Sequence, residues 1–174
     1  MASVPGERSA AGGIVLTMPQ PGSGPVLDAE ALLAHARRVI RSEAQALLAL
    51  EPRLGEPFLR AVEHIQAAAG RVIVSGIGKS GIIGRKIAAT LTSTGTPAVF
   101  LHPVEGLHGD LGIVGRDDVA ILISKSGESS ELTGLVDYLS RLGVPIIALT
   151  GRVDSTLARA ASVVLDCSVA EEAC

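Results

Sequence analysis

Asp118-Val-Ala-Ile-Leu-Ile123 runs straight into Ser124-Lys-Ser-Gly-Glu-Ser-Ser130. A short unbroken apolar run that ends abruptly in small polar residues reads as a buried strand emptying into a loop, and a helix is expected over about 129–142, closed by Gly143. Because the run is continuous rather than alternating, both of its faces must be covered, which is the signature of a parallel sheet between helices. Four more runs repeat the pattern: Arg71-Val-Ile-Val-Ser75, Pro97-Ala-Val-Phe-Leu101, Pro145-Ile-Ile-Ala-Leu149 and Ser162-Val-Val-Leu165. Helices are expected between them at 82–94 and near 154–161, with two more upstream, from Leu27 to about Leu50 and from about Pro57 to Ala69. Asp28 is placed to cap the first of these. The chain therefore reads as α/β: a five-stranded parallel sheet with helices on both faces, a flavodoxin-like or Rossmann-like three-layer sandwich. Residues 1–25, rich in Gly, Pro and Ser, read as a disordered tail, and residues 26–174 as one domain.

Composition narrows the function classes. Hydrophobic residues make up 47% and aromatics only 2%, so the core is aliphatic and few rings remain for stacking on bases. With 15 basic against 18 acidic residues the net charge is −3, which offers no basic footprint for nucleic acid. The two cysteines, Cys167 and Cys174, read as reduced thiols rather than a disulfide framework. Nothing in the sequence approaches the ~20 apolar residues of a membrane helix, and a cytoplasmic protein is expected.

Ligands of open α/β sheets sit beyond the carboxyl ends of the strands. Two loops occupy that position. Gly76-x-Gly78-x-x-Gly81 formally fits a dinucleotide fingerprint, but the acidic residue that should follow about 20 residues on is replaced by Leu101-His102-Pro103. A P-loop would need glycine where Ile73 stands. A tight structural turn explains the glycines better, although it leaves Lys79 unexplained. The second loop is more telling. Ser124, Ser126, Ser129 and Ser130 crowd around Gly127; hydroxyls donate to phosphate oxygens, and the N–H groups that open the next helix add partial positive charge. The competing reading is that Ser129 or Ser130 merely caps that helix. Chemistry alone thus gives a phosphate-sized anion, without the molecule that bears it.

Further motifs stand in one consistent order: Gly78-Lys79-Ser80-Gly81, Ser93-Thr94-Gly95-Thr96-Pro97, His102-Pro103, His108-Gly109-Asp110-Leu111-Gly112, Ser126-Gly127-Glu128-Ser129-Ser130-Glu131 and Glu171-Glu172-Ala173-Cys174. Together, over roughly residues 30–174, they resemble the sugar isomerase (SIS) domain of arabinose-5-phosphate isomerases. The resemblance implies a sugar phosphate as partner and interconversion of ribulose 5-phosphate with arabinose 5-phosphate for lipopolysaccharide biosynthesis, with no required cofactor. By position it implies that Ser124, Ser126 and Ser129 hold the phosphate, and that Ser80, Gly95, Thr96 and His108 contact substrate. Lys79, Glu131 and Glu172 match catalytic positions. His102 matches a position that binds a divalent metal in relatives without being needed for turnover. Lys125 departs from the uncharged polar residue more common at its place.

Such chemistry needs a base for the carbon acid and a donor or cation for the developing oxyanion. Glu131 or Glu172 would serve as base if burial raises its pKa, with Lys79 stabilising the oxyanion. The resemblance also implies a homo-oligomer, often a tetramer. It further implies sequence beyond Cys174 in the family: a covering helix, another catalytic histidine and, in many members, two CBS modules. Three readings stay open at this point: an isomerase domain, a non-catalytic phosphosugar sensor, and a nucleotide-binding domain.

Overall fold

The computed structural model describes residues 28–172; the tail expected over 1–25 lies outside them. The described residues fall into two units that divide between Arg38 and Val39. Helix α1 (Ala29–Leu48) runs from the first into the second, and Asp28 caps it as expected, accepting from the amides of Glu30 and Ala31 at 3.1 Å each. Everything that follows belongs to the second unit.

Five strands, β1 (Val72–Gly76), β2 (Ala98–Phe100), β3 (Val119–Ser124), β4 (Ile146–Thr150) and β5 (Val163–Asp166), form one parallel sheet in the order β2-β1-β3-β4-β5. The chain first winds outward from β1 to β2, then returns past β1 to continue through β3, β4 and β5. That reversal sets a switch point between β1 and β3, where crossovers leave in opposite directions and a crevice opens.

Alternation of side chains divides the core into two layers. On one face Ile73, Ala120, Leu122, Ile146 and Ala148 pack with Leu132, Leu135 and Leu139 of α5 (Ser130–Leu142) and Leu157 of α6 (Thr156–Ala160). On the other, Val72, Val74, Val119, Ile121 and Ile147 pack with Ala61 of α2 (Glu56–Ala67) and Ala88 of α3 (Lys79–Ser93). Helices on both faces are what the continuous apolar strands required. The long connection before β3 holds a short helix, α4 (Pro103–Leu107), and a 3-10 turn at Asp110–Ile113. A second 3-10 turn, Glu51–Arg53, precedes α2.

One boundary differs from the sequence reading. Helix α3 starts at Lys79, not at residue 82. Gly78 takes a positive φ of 56° and stops the strand exit, which lets the helix begin at once. Gly81 then lies inside the first turn of the helix, where a Cβ would sit 2.7 Å from the carbonyl oxygen of Gly76. The Gly-x-Gly-x-x-Gly spacing is therefore accounted for by backbone-on-backbone packing at Gly76 and Gly81 and by the positive φ of Gly78.

Candidate functional site

A cavity of about 480 Å³ opens at the β1/β3 switch point and extends over the end of β4. Ile77 lines it from the turn after β1 and Ser80 from the first turn of α3, Ser124 from the end of β3, Lys125, Ser126 and Ser129 from the loop that follows, and Gly151 and Arg152 from the turn after β4. Four of the residues expected to contact substrate, Ser80, Ser124, Ser126 and Ser129, thus share one cavity. Two cations, Lys125 and Arg152, share it too. Arg152 was missed in the sequence, though the rule that ligands sit past strand ends applies to β4 as much as to β3.

The serine loop has a defined internal geometry. Ser124 is buried, and its Oγ lies 2.9 Å from Ser129 Oγ while accepting from the Gly127 amide at 3.1 Å. Ser126 Oγ accepts from the Glu128 amide at 3.2 Å. Gly127 has φ +65°, and a Cβ there would collide with the buried Ser155. Helix α6 braces the loop from the far side: the Leu157 amide donates to Gly127 O at 3.0 Å, and the Thr156 amide donates to Glu128 Oε1 at 2.9 Å. The Thr156 hydroxyl and amide, with Arg159 and Arg152 adding smaller attraction, hold the Glu128 carboxyl below its ordinary range. Ser129 stands at the N-cap of α5 but makes no capping bond with its side chain. The mere-cap reading of Ser129 therefore fails. Its hydroxyl pairs with Ser124 Oγ instead.

Lys79 is exposed at the first position of α3, directly before Ser80. A cation there opposes the helix dipole, so helix stability gives no reason for lysine at this position. Glu131 lies in the first turn of α5, exposed, and its carboxyl is held below the ordinary carboxylate range by its own backbone N–H and by the Ser130 hydroxyl, which donates to Oε2 at 3.0 Å. The burial invoked to raise a carboxylate pKa is thus not found at Glu131. In this chain it is a solvated, ionised acid. Glu172, also exposed, is ion-paired with Lys125 at the cavity.

Other expected residues fall elsewhere. Gly95 and Thr96 precede β2, and Ala98 is level with Val72 at the start of β1, so they sit at the amino end of the sheet, opposite the cavity. No turn before a strand can reach the loops after its neighbours within one chain. His108 caps the carboxyl end of α4, is exposed, and does not line the cavity. His102 follows β2 at the carboxyl edge and is half-buried, with a buried Nδ1 that lacks a hydrogen-bond partner. That nitrogen is a free donor of the type metals favour, but among the described residues no three His, Cys, Asp or Glu side chains gather as a metal site. A single imidazole does not make one.

Against known proteins, the SIS-domain family profile matches residues 65–174. Arabinose 5-phosphate isomerase KdsD of Pseudomonas aeruginosa is 49% identical over 139 residues, covering 80% of this chain and 43% of the relative. Arabinose 5-phosphate isomerase GutQ of Salmonella typhimurium is 52% identical over 145 residues, covering 83% of this chain and 45% of the relative. The chain spans less than half the length of these curated relatives. Among solved structures, an E. coli CFT073 protein in complex with A5P superimposes with a TM-score of 0.76 at 37% identity, over 85% of this chain and 79% of that one. A family profile that covers most of the chain settles the membership: this chain belongs to the SIS-domain family.

Proposed function

We propose that this chain is the phosphosugar-binding domain of an aldose–ketose isomerase that interconverts ribulose 5-phosphate and arabinose 5-phosphate. The carrying observation is the cavity at the switch point, where Ser80, Ser124, Ser126 and Ser129 converge with Lys125 and Arg152. Hydroxyls, loop amides and two cations suit a phosphate dianion, and relatives at about 50% identity carry the isomerase name.

Chemistry at the other end of the sugar follows from what flanks the cradle. A base removes a proton from C1 of the ketose, the electrons form the C1–C2 double bond, and the C2 carbonyl oxygen takes on negative charge. Passing the C1 hydroxyl proton to that oxygen and returning a proton to C2, as the C1 carbonyl forms, gives the aldose. Glu131, two residues past Ser129, and Glu172, drawn to the cavity by Lys125, are the carboxylates for the proton. Lys79, beside Ser80, is the cation for the oxyanion. As Glu131 stands, ionised and solvated, it is a weak base; covering it with sugar or another segment would strip water and raise its basicity. No step requires a cofactor.

We assign the chain to the cytoplasm, where sugar phosphates are found. A homo-oligomer, a tetramer in the fullest form of the reading, is supported by the exposed apolar side chains Ile40, Leu47, Leu54, Phe58, Leu59, Ile82 and Ile83, more than scattered surface residues require. Association would also give a route for Gly95, Thr96 and His108 to meet a neighbouring chain's cavity.

The solvated state of Glu131 favours one second reading, a sensor that binds the sugar phosphate without turning it over. Conversion of ribulose 5-phosphate by the purified chain separates the two. The isomerase reading expects turnover that falls about 10²- to 10⁴-fold in Glu131→Gln with KM nearly unchanged. A folded chain that binds the sugar phosphate and leaves it unconverted supports the sensor.

A further inference from the structure

Lys125 has two possible partners, and the unliganded chain gives it the internal one. Lys125 lines the cavity, and its ammonium is ion-paired with Glu172, both side chains being more than half exposed. This pairing is set by the backbone on both sides. Lys125 O accepts from the Gly151 amide at 3.0 Å and the Thr150 hydroxyl at 3.4 Å, which fixes the root of the lysine at the end of β4. The segment leading to Glu172 is fastened next to it. The Cys167 amide donates to Thr150 O at 2.8 Å, and Arg53 Nη1 donates to Ser168 O at 2.7 Å and Ser168 Oγ at 3.0 Å. Asp166 completes the clasp, 3.5 Å from Arg53 and accepting from the Ser168 amide at 2.8 Å. A Cβ on Gly151 would lie 3.5 Å from Lys125 Cγ and 3.8 Å from Ser168 Cα. A side chain at 151 would therefore touch both the lysine stem and the segment after β5, which places the two on either side of the glycine turn.

We propose that Lys125 is a specificity-determining residue for phosphorylated sugars: a cation of the phosphate cavity that Glu172 occupies until an incoming phosphate takes its place. A dianion competes for the ammonium where a neutral sugar cannot, so anion binding and release of the Glu172 carboxylate become one event. Through that exchange the substrate's phosphate frees the carboxylate suited to work on its carbons. The inference rests on the phosphosugar reading of the cavity. It adds a sign that the reading alone lacks: removing an acid at the cavity mouth strengthens phosphate binding only by way of Lys125.

Calorimetric titration of inorganic phosphate into the purified chain at fixed ionic strength tests it, using wild type, Glu172→Gln, Lys125→Met and the double variant. Both side chains are largely in solvent, so the fold should survive each change, as circular dichroism would verify. The expected result is that Glu172→Gln binds phosphate about two- to fivefold more tightly, the range spanned by exposed ion pairs. Lys125→Met should bind it more weakly, and Glu172→Gln should bring no gain in the Lys125→Met background. A gain of equal size in both backgrounds would mean that Glu172 acts as a distant charge, also felt by Arg152, and overturns the inference. So would unchanged or weaker binding in Glu172→Gln. Phosphate binding indifferent to Glu172 overturns this inference alone, whereas no phosphate binding to any variant overturns the phosphate cavity along with it.

Discussion

The turn after β1 and the loop after β3 leave neighbouring strands at the same edge of the sheet, yet they are built in opposite ways. In the first, glycines allow close approach: Gly81 inside α3 rests on the carbonyl of Gly76, and Gly84 farther along the helix accepts the ring of Phe100, with a would-be Cβ 3.0 Å from it. Glycine is spent there on packing, and Lys79 and Ser80 are what remain for chemistry. In the second, side chains do the bracing. Ser124 ties Ser129 and Gly127 together inside the loop, while Ser155, Thr156 and Leu157 of the following turn hold it from outside. A glycine-rich loop at a strand end is thus no guide to a ligand. A hydrogen-bonded set of hydroxyls lining a cavity is a better one.

The contrast can be broken most sharply at the positive-φ glycines. Gly127→Ala combines left-handed strain with a collision against buried Ser155, and should cost about 3 kcal/mol of unfolding free energy in urea melts. Ser124→Ala comes next. It strands the Gly127 amide and the Ser129 hydroxyl, for about 2 kcal/mol, together with a loss of phosphate affinity. Gly78→Ala has the strain without the collision, since nothing lies within 4 Å of its would-be Cβ, and should cost only about 1 kcal/mol. Equal losses at Gly78 and Gly127 would show that the two loops are not built differently.

The smallest effect is acid dependence. Because Glu128 titrates below its ordinary 4.5 in the folded chain, its bond to Thr156 stabilises at pH values above 4.5. That contribution is lost as pH falls through the lowered value. Melting temperature followed from pH 6 downward should therefore drop less steeply in Glu128→Gln than in wild type. Parallel curves would remove Glu128 from the brace.

Much of this was legible in the chain because burial writes itself into sequence. The aliphatic runs at 72–76, 119–124 and 146–150 are too short and too continuous to be anything but doubly covered strands, and four serines in seven residues at the end of one of them marked the cavity. What stayed hidden depended on geometry that spacing does not encode. The start of α3 was placed three residues late because Gly81 reads as a turn residue, whereas here it is a helical residue chosen for close approach. Gly95 and Thr96 came to the site only through the family resemblance; within one chain they lie at the end of the sheet away from the cavity, because residues that enter a parallel strand lie opposite those that leave it. Arg152 went unremarked because a lone arginine after Thr-Gly has no pattern of its own. The exposure of Glu131 was beyond reach, since whether a carboxylate is buried depends on what covers it.

Everything in this reading depends on the serine cradle recognising phosphate, and a calorimetric comparison of arabinose 5-phosphate with unphosphorylated arabinose tests that most directly. Wild type should bind the phosphorylated sugar and show no measurable heat with arabinose. The double variant Ser126→Ala/Ser129→Ala should lose at least about tenfold in affinity, as removal of two bonds to a charged group demands. If both sugars bound alike, or if the double variant bound arabinose 5-phosphate as tightly as wild type, the loop after β3 would not be a phosphate site.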